Sequence, residues 1–268
     1  MSIETRIGII GGNGWLGNAI AHAAVASGTL QGSRLTLSGR SDRRGALEVP
    51  DAYWTKNNEE LLARSEVIVL SVRPEDFPGV TIDARGKLVI SVMASVPAQS
   101  IAERLGTDAV VRAMPNAAAA IRRSFTPWFA TPAVTPDGKR IVQALFEACG
   151  EAVETSAEAH IDYCVGMTGT GAAFPALLAE ALVAHAVQQG LPPDFAKRAA
   201  KGVLAGASQL FAGEEGDTAK IVQEMLDYRG VTAAALQGML KHGFKEAVAA
   251  GLDAAASKAG ELAAEGRT

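Results

Sequence analysis

Short apolar runs recur through the first 155 residues of the chain, and segments of mixed polarity separate them. The runs cover residues 6–10, 34–38, 67–72, 88–92, 110–114 and 125–130. An apolar run without polar alternation is typical of a strand that is buried on both faces, as in a parallel sheet covered by helices. We therefore predict a mostly parallel sheet in this part of the chain.

The segments between these runs favour helices. The predicted helices cover residues 18–28, 58–64, the stretch after Pro97, and 136–150. Gly28 is typical of a helix end, and Asn58 is a candidate N-cap for the second helix. Strands that alternate with helices at this spacing predict an α/β fold.

The pattern changes after residue 155, where strand-like runs stop and Ala and Leu recur at three- and four-residue steps. This spacing predicts helices over residues 173–189, 193–212, 217–226, 231–241 and 243–262. We expect two domains, 1–155 and 156–268, of which the second is all-α. Its wide apolar faces could be covered within a monomeric bundle or by a partner subunit, and we favour the partner.

Composition and charge narrow the possible functions. The 268 residues are 48% hydrophobic and 20% charged, with a formal net charge of −4. The sequence therefore indicates no basic surface of the kind that binds nucleic acid. Two cysteines, Cys149 and Cys164, are too few for a disulfide framework, and we expect reduced, half-buried thiols. With no signal-peptide pattern and no membrane-spanning run in the sequence, we expect a soluble cytoplasmic protein.

The stretch GGNGWLG at residues 11–17 follows the first strand and opens the first helix. Its Gly12-x-Gly14-x-x-Gly17 spacing is a weak signal alone, because structural glycines recur by chance. Here a strand precedes it, and a helix and a second strand follow, as in a dinucleotide-binding βαβ unit. In that unit Gly12 permits the tight turn, Gly14 lets the backbone approach a pyrophosphate, and Gly17 allows close helix–strand packing.

Cofactor choice depends on the residues after the second strand, Ser38-Gly39-Arg40-Ser41. An NAD enzyme usually has an acidic residue there, whereas Asp42 comes late in this chain. Arg40 could hold a 2′-phosphate bidentately, Ser41 could donate to it, and the cluster of Arg40, Arg43 and Arg44 suits a single phosphate. We predict NADP(H); the alternative is a solvated surface arginine.

Four segments resemble pyrroline-5-carboxylate reductases along nearly the whole chain. The RAMPN of residues 112–116 resembles that family's RAMPN segment, and SVRP at 71–74 is similar to its A-V-K-P. VGMTGTGAAF at 165–174 is similar to V-G-x-S-G-S-x-P-A-Y, and the segment from 181 to 192 is similar to its long helix ending in G-L-P.

This resemblance implies an NADPH-binding Rossmann domain, an entwined helical dimerisation domain, an active site between them, and hydride transfer to a cyclic C=N bond. It implies that Asn58 holds the adenine-side ribose or its phosphate, and that Met93, Ala94 and Asn116 line the nicotinamide end. With the glycine loop, the cofactor-binding candidates are Gly12, Asn13, Gly14, Trp15, Leu16, Gly17, Ser38, Arg40, Ser41, Asn58, Ser71, Val72, Arg73, Pro74, Met93, Ala94 and Asn116.

The chain departs from the family pattern in three places. Its glycine loop is more similar to that of prephenate dehydrogenases and coenzyme F420-dependent NADP reductases. Ala172 and Phe174 replace the family's Pro and Tyr. Where the family has S-P-G-G-x-T around the substrate carboxylate, residues 228–233 read YRGVTA. A bulky Tyr228 would fill substrate space, although Arg229 could supply a new carboxylate clamp.

Hydride transfer to an imine needs no nucleophilic triad, because the cofactor carries the chemistry. The four histidines match no zinc spacing, and we expect no metal. Tyr228 and then Thr232 are the candidate proton donors, although Tyr228 could simply pack. Thr168 and Thr170 could orient substrate or cofactor, or could cap the next helix. The substrate candidates are Thr168, Gly169, Thr170, Arg229 and Gly230.

Two readings compete with an imine reductase. One is an NADP-dependent oxidoreductase of another class in the superfamily, acting on a keto acid or on the deazaflavin F420, which the glycine loop favours. The other is a non-catalytic dinucleotide-binding protein, since a fold alone does not prove activity. For Trp15, we expect packing under the adjacent loop rather than cover for the pyrophosphate.

Overall fold

The computed structural model describes residues 3–41, 44–211 and 217–265. It contains an eight-stranded sheet of order β3-β2-β1-β4-β5-β6-β7-β8. The strands are β1 Ile7–Ile10, β2 Leu35–Ser38, β3 Tyr53–Thr55, β4 Val67–Leu70, β5 Leu88–Ser91, β6 Val110–Ala113, β7 Ser124–Ala130 and β8 Gly150–Glu154. β7 runs antiparallel to β6, and the other described pairs are parallel. The predicted mostly parallel α/β fold is confirmed.

The central strands are those that the apolar runs predicted. All residues of β1, β2, β4 and β6 are buried, as expected for strands covered on both faces. The sequence did not predict β3 and β8, which form the two edges of the sheet. Each has at most one buried residue, so neither shows an apolar run.

Helices cover both faces of the sheet in the first part of the chain. They are α1 Trp15–Ala26, α2 Asn58–Arg64, α3 Ala98–Leu105, α4 Pro136–Glu147 and α5 Glu158–Cys164, which continues into a π-helical turn Val165–Gly169. Two buried clusters form the core. Ile20 and Phe146 belong to one cluster, and Leu61 and Ile101 belong to the other.

The predicted N-cap of α2 is wrong by one residue, although the helix covers the predicted residues 58–64. Asn57, not Asn58, is the N-cap of α2, because the extended Asn57 backbone lets its Oδ1 accept from the N–H groups of Glu59 and Glu60. Asn58 is the first helical residue, and its side chain takes part in a different contact, described below. The first helix also begins earlier than predicted, at Trp15.

The chain divides into two compact units, residues 1–171 with 254–268, and residues 172–253. The second unit contains α6 Ala173–Gln188, α7 Pro193–Ala207, α8 Thr218–Asp227, α9 Val231–Lys241 and the start of α10 Phe244–Glu265. Its helical character is as predicted. The helix expected over 193–212 stops at Ala207 and is followed by a 3-10 turn Ser208–Phe211; Ala212 lies outside the described residues.

The helical run Glu158–Gln188 is apolar over much of its length. Judged by length and composition alone it could cross a membrane, which the sequence had not indicated, and its most apolar 18 residues are unburied within the chain. A single helix of this kind is weak support for a membrane span. Helix α6, which is described throughout, contains no buried residue. Its apolar surface is therefore open in the isolated chain.

Candidate functional site

The glycine loop lies where the sheet order reverses. β1 is flanked by β2 on one side and by β4 on the other, so the loops that leave these three strands meet at one crevice. The N–H groups of Gly11 and Gly12 donate to the carbonyl oxygen of Ser38 at 3.0 and 2.8 Å. These bonds join the loop to the end of β2, where the adenosine-side candidates lie.

The tight turn depends on Gly11 rather than on Gly12, which corrects the assignment made from the fingerprint spacing. Gly11 has φ +84°, and a Cβ there would collide with the carbonyl oxygen of Ser71. A Cβ on Gly12 would lie 2.9 Å from Leu37, and one on Gly17 would lie 2.6 Å from the Gly11 oxygen. Gly17 therefore permits the close helix packing that was predicted for it.

The start of α1 suits an anion. Gly14 precedes the helix in an extended conformation, no side chain caps it, and its first turn has no acidic residue. Backbone N–H groups at such an end carry partial positive charge and bind phosphate readily. Trp15 is 66% exposed here, so the expected packing under the adjacent loop is wrong. The loop thus fits the pyrophosphate of a dinucleotide.

Four adenosine-side candidates come together beside β2. The Ser38 hydroxyl donates to Asn58 Oδ1 at 2.7 Å, and Asn13 Nδ2 donates to Ser41 Oγ at 3.3 Å. The amide of Asn58 is therefore held at the carboxyl end of β2. This placement supports a polar lining around a ribose.

Arg40 is exposed and ion-paired. Its two terminal nitrogens each lie 3.0 Å from a carboxylate oxygen of Asp76, in a bidentate arrangement. The proposed arginine cluster is not assembled in the described residues: Arg44 lies over the Trp54 ring at 5.7 Å. Arg43, like Asp42, lies outside the described residues. Arg40 alone among the described members of the cluster is placed beside the crevice.

The predicted nicotinamide side is formed by loops after β4 and β5. The Ser71 N–H donates to the Ile10 carbonyl, and Arg73, exposed and followed by Pro74, approaches Glu75 at 3.6 Å. The chain then brings Met93 to a buried position, with its N–H donating to Ser91 Oγ at 3.2 Å. Val72 and Ala94 lie in these same two loops and are partly buried.

Ser95 was missed by sequence reasoning. It has φ +62°, and its buried hydroxyl has no hydrogen-bond partner. A non-glycine residue in the left-handed region is strained, and strain of this kind often marks functional loops. No local pattern in the sequence signals it, because serine is ordinary in loops.

Asn116 connects the RAMPN segment to the π-helical turn. Its Oδ1 accepts from the Ala118 N–H at 3.0 Å, and its Nδ2 donates to the Thr168 carbonyl at 3.1 Å. Nearby, a Cβ on Gly169 would lie 3.3 Å from the Met114 sulfur. The side chain thus fixes the position of the substrate candidates Thr168 and Gly169.

The hydroxyls of the two threonines in this turn donate back to the helix. Thr168 Oγ1 donates to the Cys164 carbonyl at 3.0 Å, and Thr170 Oγ1 donates to the Gly166 carbonyl. Neither caps α6, which begins without a side-chain cap, so the capping alternative is wrong. Their oxygen lone pairs stay available, which makes them acceptors rather than donors toward a ligand.

Arg112 is a second feature that the sequence did not single out for a role. Its side chain is 2% exposed, and its terminal nitrogens donate to Glu158 at 2.7 Å and to Asp162 at 2.8 Å. Glu158 also accepts from the Ala98 N–H at the start of α3. The arginine thus joins β6 and α3 to α5, which leads into residues 165–170, called the threonine turn below. A charge inside an apolar strand was the available signal.

The remaining candidates form the turn between α8 and α9. Tyr228 is 86% exposed at the end of α8, Arg229 has φ +53°, and Gly230 precedes α9. Thr232 is exposed, and Val231 is 90% exposed. A Cβ on Gly230 would lie 3.3 Å from the Tyr228 ring. Within its own unit, the structure therefore brings Tyr228, Arg229, Gly230 and Thr232 into one exposed turn.

Neither cysteine thiol is activated as a nucleophile. Both cysteines are free, and Cys149 is fully buried rather than half-buried. Burial raises the pKa of its thiol to about 12, and burial also raises the pKa of Cys164. Both thiols therefore stay protonated near neutral pH. Within the described ranges, His, Cys, Asp and Glu side chains form no group of three or more suited to a metal ion.

Comparisons with known proteins cover nearly the whole chain. Residues 158–262 match the family model described as pyrroline-5-carboxylate reductase dimerisation, and residues 6–95 match that of coenzyme F420-dependent NADP oxidoreductases. A pyrroline-5-carboxylate reductase from Synechocystis is 32% identical over 98% of this chain and 99% of its own. Pyrroline-5-carboxylate reductase 3 from Rattus norvegicus is 26% identical, with 98% and 97% covered.

Two solved structures extend the similarity to the fold. A pyrroline-5-carboxylate reductase from Coxiella burnetii superposes with a TM-score of 0.85 at 27% identity, covering 97% of this chain and 99% of that one. The Plasmodium falciparum pyrroline carboxylate reductase, solved with NADP bound, gives a TM-score of 0.84 at 22% identity, with 98% and 100% covered.

Proposed function

The chain belongs to the pyrroline-5-carboxylate reductase family, and we propose that it binds NADPH and reduces the C=N bond of a cyclic imine such as pyrroline-5-carboxylate. The observation that carries this proposal is the uncapped start of α1 at the strand-order reversal, within a chain similar to a reductase along its full length. This is the anion site that a dinucleotide requires.

Specific residues hold the cofactor in this proposal. The backbone of Gly12, Asn13, Gly14, Trp15, Leu16 and Gly17 receives the pyrophosphate. Ser38, Ser41 and Asn58 line the ribose, and Arg40 binds its 2′-phosphate. The loops after β4 and β5, with Asn116, surround the nicotinamide. When bound, NADPH supplies the hydride, so the protein needs only to position and polarise the imine.

The threonine turn offers a specific interaction with the substrate. Because Thr168 Oγ1 donates its hydrogen to the Cys164 carbonyl, its remaining lone pair can only accept from a ligand. An acceptor suits the N–H of a protonated imine and does not suit a carboxylate oxygen. Gly169 allows the chain to approach Met114 closely, and Thr170 has the same acceptor character as Thr168. Arg229 and the Gly230 backbone are then the groups proposed for the substrate carboxylate.

Tyr228 and Thr232 are the proposed proton donors to the imine nitrogen. Both carry hydroxyls in a turn whose side chains are open to solvent. The Tyr228 hydroxyl is exposed, and it carries a hydrogen that it can donate to a ligand. Solvent can also protonate the free imine, so loss of either hydroxyl is expected to lower turnover without abolishing it.

The match to a dimerisation family supports oligomerisation. We propose a homodimer, or a higher assembly of dimers, in which residues 156–268 form the dimerisation domain and residues 1–155 the cofactor domain. The unburied apolar surface of α6 is the feature that a second copy would cover. We further propose that the enzyme works in the cytoplasm on a freely diffusing substrate.

A second candidate rests on the match of residues 6–95 to F420-dependent NADP oxidoreductases. Oxidation of NADPH would be followed at 340 nm with pyrroline-5-carboxylate, other cyclic imines, keto acids and oxidised F420. Turnover with an imine supports the proposal. Turnover with F420 or a keto acid alone supports the second candidate. Tight NADPH binding without turnover on any compound would indicate a non-catalytic binder.

A further inference from the structure

The Arg40–Asp76 pair spans the crevice that contains the glycine loop. Arg40 follows β2, and Asp76 lies in the 3-10 turn Pro74–Gly79 after β4. These two strands are the neighbours of β1 on its opposite sides. An ion pair between their loops therefore crosses the carboxyl end of β1, where the dinucleotide is proposed to lie.

The pair uses the same atoms that a 2′-phosphate would use. Each terminal nitrogen of Arg40 lies 3.0 Å from one oxygen of Asp76, which is the fork geometry that arginine adopts with carboxylates and phosphates alike. A phosphate that binds Arg40 through this fork must displace the carboxylate.

We propose that Asp76 is a specificity-determining residue, which competes with the 2′-phosphate for Arg40 and so limits the preference for NADPH over NADH. This inference rests on the proposed NADP(H)-binding function. NADH lacks the 2′-phosphate and leaves the ion pair in place, so only NADPH binding requires the exchange. The preference for NADPH over NADH is therefore smaller than it would be if Arg40 had no carboxylate partner.

The chain offers a matched control one residue away. Glu75 has the same charge and lies in the same 3-10 turn, but it approaches Arg73 instead of Arg40. Asp76→Asn and Glu75→Gln each remove one negative charge from this turn. A general electrostatic effect would make the two variants alike, whereas competition for Arg40 makes them different.

The test is calorimetric titration of the full chain with NADPH and with NADH. We expect Asp76→Asn to bind NADPH roughly threefold to tenfold more tightly, a modest gain because an exposed ion pair is weak. The affinity for NADH should change less than about twofold. Glu75→Gln should change NADPH affinity by less than about twofold. In an Arg40→Ala background, most of the gain from Asp76→Asn should disappear.

Three results would overturn the inference: weaker NADPH binding by Asp76→Asn, an equal gain for NADPH and NADH, or the same gain with Glu75→Gln. Thermal unfolding of each variant shows that it is folded before it is titrated. If the wild-type chain binds neither nucleotide, the proposed function fails. If it binds them and Asp76→Asn leaves the preference for NADPH unchanged, only the inference about Asp76 fails.

Discussion

The β1–α1 loop and the α8–α9 turn differ in how much of their structure the single chain determines. In the first, Gly11, Gly12 and Gly17 approach neighbouring atoms so closely that a side chain would not fit. In the second, Tyr228 and Val231 are almost fully exposed. The cofactor side is therefore shaped by contacts within the chain, whereas the turn proposed for the substrate is held mainly by its own backbone.

The largest expected effect comes from the tightest point of the first region. Gly11→Ala forces a side chain into the Ser71 carbonyl at a positive φ, and should lower the free energy of unfolding by about 3 kcal/mol. NADPH binding should be lost with it. Gly28→Ala is the control, because φ is +74° there but nothing lies near its Cβ, so we expect a cost of about 1 kcal/mol. Equal costs in urea unfolding would contradict the close-contact argument.

The second largest effect is expected at the buried Arg112, whose ion pairs hold the helix that precedes the threonine turn. Arg112→Met removes both ion pairs and should cost about 2 kcal/mol of unfolding free energy, less than a fully buried pair because Glu158 and Asp162 can still reach water. Arg6→Met, which breaks the exposed pair with Glu66, should cost under about 0.5 kcal/mol. Denaturant unfolding of both variants measures the difference. A similar cost for the two variants would contradict the proposed role of Arg112 in holding α5.

A gain in stability is expected at Ser95. Ser95→Gly relieves a left-handed serine and removes a buried hydroxyl without a partner, so unfolding free energy should rise by about 1 kcal/mol. Ser95→Ala removes only the hydroxyl and separates the two causes. Calorimetric melting of the three proteins gives the ranking. A lower melting temperature for the glycine variant would mean that the serine has a stabilising contact.

The smallest effect is predicted in the exposed turn. Tyr228→Ser removes a bulky side chain, and should lower KM for pyrroline-5-carboxylate by about threefold if the ring restricts the substrate, since the gain comes from relieved crowding alone. Loss of the proposed donor should lower kcat at the same time. Tyr163→Ser changes an exposed tyrosine of α5 and should leave both constants unchanged. An unaltered KM in Tyr228→Ser would show that this tyrosine does not limit substrate entry.

The sequence predicted what depends on local pattern. Strands buried on both faces form the apolar runs, and the glycine spacing predicted a tight turn between β1 and α1. The edge strands β3 and β8 escaped because they are short and partly polar. The turn glycine and the α2 cap were each misplaced by one residue. Gly11 and Gly12 are the same residue type, as are Asn57 and Asn58, so only their backbone angles distinguish the two positions.

Long-range pairs were beyond local reasoning. Arg40 meets Asp76 across 36 positions, and Arg112 meets Glu158 across 46. Each charge was visible in the sequence, but its partner is set by the order of strands in the sheet. The role of Ser95 is similar, because its strain arises from the path of the loop after β5. Such features require the fold before they can be identified.

Calorimetric titration of the folded wild-type chain with NADPH, and separately with NADH, tests the central claim most directly. The uncapped start of α1 and the arginine beside it predict saturable binding of NADPH, with NADH bound at least about threefold more weakly. Binding of neither nucleotide by protein that unfolds cooperatively would contradict the account.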